Sequence, residues 1–172
     1  MSMATAEKDK IVSTNIKYRG YMKFADFYKF CYEWLNEETG LSDLQEKKYT
    51  EKVKGDSKEM DIEWEGTRKL TDYFKMEIKV TFEIRMLKKV EIQKGDKKIS
   101  TEEGEVKVKV TGSLIKDYQG KFDQSGFLKF LRAIYEKWVI PSRVDQFEDK
   151  VAGDCVEFLD QAKAYLDLEG RK

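Results

Sequence analysis

Residues 74–86 read FKMEIKVTFEIRM, and their alternation decides the fold. Phe74, Met76, Ile78, Val80, Phe82, Ile84 and Met86 fall on one face, with Lys75, Glu77, Lys79, Thr81, Glu83 and Arg85 on the other. A period of two held this long makes one side of a pleated strand apolar and the other charged. That is the signature of an antiparallel strand with one face on a core and one in water. Val90 and Ile92 keep the phase further on, but Lys88 breaks it, which predicts a bend or bulge over 87–89.

The same period continues to either side. Upstream, Met60, Ile62 and Trp64 alternate with Asp61, Glu63 and Glu65, while Tyr49 and Val53 alternate with Lys48, Thr50, Lys52 and Lys54. Gly55-Asp56-Ser57-Lys58 between them reads as a hairpin turn. Downstream, Val106, Val108 and Val110 face inward from a strand over 105–115, and Gly95-Asp96 and Gly104 bracket a solvent loop or short hairpin tip. Near the start, residues 11–22 (IVSTNIKYRGYM) are β-branched and aromatic with partial alternation, which predicts a first strand.

Helical spacing takes over in two places. Phe24, Phe27, Tyr28, Cys31, Trp34 and Leu35 make one apolar stripe that stops near Gly40, and Phe30 and Tyr32 off the stripe predict cover on more than one side. Phe127, Phe130, Leu131, Ile134 and Trp138 line a second helix that must end before Pro141. Ser142 then reads as the N-cap of a third, whose stripe runs from Val144 through Val151, Cys155, Phe158 and Ala162 to Leu166, with Gly170 as its stop. Gly153 inside that helix predicts a kink or a close approach to the sheet.

The fold class that follows is a two-layer α+β domain in the order β-α-β-β-β-β-α-α. A curved antiparallel sheet of about five or six strands is packed on one face by helices, because its other face is charged. Residues 11–172 form a single domain behind a polar leader, MSMATAEKDK (1–10), expected to be flexible. This order resembles the helix-grip arrangement of START-like domains, in which a bent sheet closes around a C-terminal helix. The resemblance covers most of the chain as topology, rests on no motif, and is departed from by the extra helix over 127–138. It implies a cavity between sheet and C-terminal helix for an apolar ligand, and it assigns no residue roles.

Composition narrows the chemistry. Lys and Arg (33) balance Asp and Glu (33), so no net charge draws the chain toward nucleic acid or an anionic surface. Lys/Glu enrichment, with asparagine only at Asn15 and Asn36, is thermophile-like, although a single proline and 11 glycines add nothing to that. With no histidine, the chain lacks the commonest general base, the commonest metal ligand and both His-dependent nucleophile pairs. No CxxC zinc spacing, calcium loop, Walker loop or GxGxxG element occurs, so no metal or cofactor is expected. Cys31 and Cys155 read as reduced core thiols; without a secretory segment or an apolar run long enough to span a bilayer, the expected location is cytoplasmic.

Three functional readings remain. The first is a noncatalytic binding or interaction domain holding a small hydrophobic ligand or a partner segment, with Trp34, Trp64, Met76, Phe82 and Trp138 as the candidate cavity lining; a plain hydrophobic core explains the same residues. The second is a histidine-free enzyme using buried carboxylates or lysine; here the acids Asp61, Glu63 and Glu65 read more simply as a solvated strand face paired with Lys52 and Lys54. The third is weak nucleic-acid binding through Lys17, Tyr18, Arg19, Tyr21 and Lys23, where cations interleave with stacking aromatics.

Overall fold

A computed structural model describes residues 7–116, 119, 125–139 and 141–171. Strands β1 (Glu7–Met22), β2 (Gln45–Lys54), β3 (Ser57–Lys69), β4 (Phe74–Lys94) and β5 (Lys97–Lys116) form one sheet in the order β1-β5-β4-β3-β2, with every neighbouring pair antiparallel. Helix α1 (Phe24–Glu38) follows β1, and α2 (Gly126–Ile134), a π-helical turn (Tyr135–Val139) and α3 (Pro141–Arg171) follow β5. The expected α+β class, element order and one-sided helical layer are all present. Among the described residues no helix is long and apolar enough to cross a membrane.

The topology gives α1 a specific task. β1 and β2 lie on opposite edges, so the chain must cross four strand spacings, about 19 Å. The 15 residues of α1 span about 22 Å, enough to bridge the sheet, and the helix buries Phe24, Phe27, Cys31 and Leu35. Helix α3 then packs beside it. Phe30, off the stripe, stacks on Tyr165 at 4.6 Å and so gives the expected second covering, and Trp34 on the stripe meets Phe158 at 5.8 Å; Tyr32, the other off-stripe residue, is exposed.

β4 is the spine of the sheet, paired with β3 on one side and β5 on the other. Its even-numbered residues from Phe74 to Ile84 are buried, as their alternation requires. The phase then slips at a β-bulge between Arg85 and Lys88, where Met86 adopts φ 53°. Met86, expected inside, is therefore 50% exposed, and Leu87 takes its place in the core. Gly104 lies inside β5 rather than at a loop, and a Cβ there would come within 2.9 Å of Leu87 Cα at the bulge. Both tight hairpins put glycine at the first turn position, Gly55 with φ 63° and Gly95 with φ 62°, a backbone region costly for other residues.

Several local expectations are displaced. β1 begins at Glu7, taking in residues assigned above to the leader; residues 1–6 lie outside the described residues. The last strand starts at Lys97, not near 105, because the Gly95-Asp96 turn is a direct hairpin. Helix α3 starts at Pro141, so Ser142 is inside its first turn instead of at the cap, and the helix continues one residue past Gly170. At Gly153 a Cβ would meet nothing within 4 Å. The close approach of α3 to the sheet occurs at Gly112 of β5, where a Cβ would sit 2.6 Å from Val151 Cγ1.

Candidate ligand-binding groove

The inner face of the sheet is only partly covered. In the register of β2 and β3, Tyr49 stands opposite Ile62 and Glu51 opposite Met60, so both point to the helix side of the sheet. Among the described residues no helix reaches far enough to bury them: Tyr49 and Val53 are exposed, whereas Met60 and Ile62 on the next strand are buried. The uncovered strip forms a groove of about 290 Å³ beside the N-terminal end of α1. Its walls are Phe24, Ala25 and Tyr28 from α1, Tyr49 from β2, Met60 from β3 and Leu87 from the bulge, with Lys58 and Glu102 at the rim. A second groove of about 300 Å³ under the hairpin tips shares Lys58, Leu87 and Glu102 with it.

Polar groups are fixed around these apolar walls. Trp64 donates its indole N–H to the Tyr28 hydroxyl at 2.9 Å, and that hydroxyl donates onward to Glu46 Oε1 at 3.1 Å. Burial, then the neighbouring Glu46 carboxylate, raises the Tyr28 phenol to about 12, so it stays a neutral donor. Tyr49 is raised for the same reasons, burial first and then Glu51, to which it donates at 3.3 Å. Lys23, the residue preceding α1, offers no side-chain cap; Glu102 accepts from the Phe24 N–H at 3.2 Å instead, tying β5 to the helix start.

The candidate lining read from the sequence divides. Trp64, Met76 and Phe82 are buried in one core cluster with Trp34 packed against it, and the Trp64 and Phe82 rings meet edge-on at 4.7 Å. These four belong together, in the interior between the sheet, α1 and α3. Trp138 stands apart, 73% exposed beyond α2, because that helix turns its apolar side away from the sheet. The residues that do line the groove, Tyr28, Tyr49, Leu87 and Glu102, come from four elements.

Glu77 is the one buried carboxylate among the described residues, and Lys8 and Lys79 pair with it on the outer face, Lys79 at 3.7 Å. Asp61 binds Arg85 at 2.9 Å on that same solvated face, so its partner is on β4 instead of the expected β2 lysines. No cluster of His, Cys, Asp or Glu among the described residues could hold a metal ion. Lys17 and Arg19 stand opposite Lys107 and Glu105 on the outer face, and Tyr18 pairs with buried Val106. Lys17, Tyr18 and Arg19 nonetheless line one groove of about 450 Å³ with Arg85 and Lys107, whose cations are interspersed with Glu83 and Glu105, and Tyr21 beyond them is exposed. Both thiols are buried and free; burial raises Cys155 to about 12 and Cys31 further still, which leaves them poor nucleophiles.

Comparison of the chain with known protein families and with curated proteins finds no match.

Proposed function

We propose that the protein is a noncatalytic binding domain that takes a small hydrophobic ligand, or the apolar side chain of a partner segment, in the groove between α1 and the open inner face of β2. The observation that supports this reading is the exposed Tyr49 on the uncovered strip of the inner sheet face, completing an aromatic and aliphatic wall with Phe24, Tyr28 and Leu87. Such a wall provides contact area, and the neutral Tyr28 and Tyr49 hydroxyls provide orientation. A helix-grip arrangement would put the ligand between sheet and α3. That interval holds the packed side chains of Phe27, Phe82, Cys155 and Phe158, so the groove between α1 and β2 is the better seat.

A thermal-shift screen with fatty acids, indoles and alkylamines tests it. A ligand binding only the folded chain stabilises it by about 2.7 kcal/mol at a hundredfold excess over Kd. Tyr49→Ala should leave the melting temperature of the free protein close to the parent's and strongly reduce the ligand-induced shift. No shift with any probe, or a shift that Tyr49→Ala leaves intact, would overturn the proposal.

A further inference from the structure

Helix α2 and the π-helical turn hold their largest side chains away from the body. Phe127, Phe130, Leu131, Ile134 and Trp138 recur at helical spacing along one side, and all are exposed, Phe127 by 68% and Phe130 by 60%. α2 buries none of its own residues. A different flank provides the attachment: Arg132 donates to the Tyr73 hydroxyl at 3.0 Å, and Tyr135 packs edge-on against the Tyr73 ring at 5.8 Å. Single exposed apolar residues are ordinary, but a continuous row with two phenylalanines and a tryptophan marks an interaction surface.

The charge around the row identifies the partner. Apart from Arg132, which is held at Tyr73, residues 125–143 carry Lys129, Lys137 and Arg143 against Glu136 alone, in a chain whose net charge is zero. The Lys137 ammonium lies 5.3 Å from the centre of the Trp138 ring, at the edge of the apolar face. Phe, Leu, Ile and Trp on one side and Lys and Arg around them are the makings of a helix that lies in a bilayer interface. Its apolar face sinks to the acyl boundary and its cations meet anionic headgroups. Two copies joined by this face would instead bring like charge against like. We infer that this face docks the protein peripherally on a bilayer containing anionic phospholipid, independently of what occupies the groove.

Co-sedimentation of the full chain with phosphatidylcholine vesicles, with and without phosphatidylserine, tests the inference. The expected result is binding to the anionic vesicles only, with a blue shift of tryptophan emission that Trp138→Phe abolishes. Phe130→Asp should weaken binding at least about tenfold, and Lys129→Glu or Lys137→Glu about fivefold or more each. All three side chains are exposed, so these variants should melt with the parent. Equal binding to both vesicle types, or undiminished binding by Phe130→Asp, would overturn the inference. So would a dimer that ignores vesicles and that Phe130→Asp converts to monomer, which would assign the face to a second copy.

Discussion

Gly112 near the C-terminal end of β5 lies directly beneath Val151 of α3, so close that a Cβ on the glycine would stand 2.6 Å from Val151 Cγ1 and 2.7 Å from Cys155 Sγ. Both neighbours are fully buried and cannot retreat. Gly112→Ala should therefore destabilise the fold by about 1–3 kcal/mol, the usual cost of overpacking. Urea unfolding measures it, and an unchanged midpoint would mean that α3 is not seated on β5 at this point.

Gly153 on the same helix should behave in the opposite way. Nothing lies within 4 Å of its would-be Cβ, and its backbone is helical. Gly153→Ala should stabilise by about 0.5–1 kcal/mol by removing backbone freedom from the unfolded chain. A lower melting temperature would show that the helix needs the glycine for a bend.

The alternation in β4 gives a paired test. Ile78 is fully buried, and Ile78→Ala should cost about 2–5 kcal/mol, with Ile78→Asp preventing folding altogether. Lys79 next to it is half-exposed and shares Glu77 with Lys8, so Lys79→Ala should cost less than about 1 kcal/mol. Equal losses in the two variants would place the register one residue away.

Alkaline pH should weaken the fold. Burial raises Cys155 from 9.0 to about 12 and Tyr28 from 10.0 to about 12, so the folded chain holds protons that the unfolded chain releases. The stability linked to each group is complete below its ordinary value and declines as pH climbs from there toward 12. Cys155→Ala should flatten this decline while costing some core packing. Denaturant midpoints across that range would refute the linkage if they stayed level.

Both thiols are free and buried, so reductant should leave the melting temperature unchanged. An aromatic disulfide reagent should label neither Cys31 nor Cys155 until the protein opens. Rapid labelling of the native chain would contradict the packing of α1 and α3 over the sheet.

Local pattern determined a great deal of this protein. The period of two in β3, β4 and β5, the helical stripe of α1, the Gly-Asp turns and the stop before Pro141 are short-range signals that report which face of an element is apolar. They are legible because backbone geometry alone sets them. What covers an apolar face is a different matter, decided by contacts between residues far apart in the chain. Only the tertiary structure put β1 beside β5, and so sent α1 across the sheet. The bulge after Arg85 turned Met86 outward, Gly112 rather than Gly153 became the seat of α3, and the apolar side of α2 faced away from the core. The groove was hidden for the same reason: Tyr28, Tyr49, Leu87 and Glu102 meet only because four elements converge, and nothing in the spacing of any one of them records the other three.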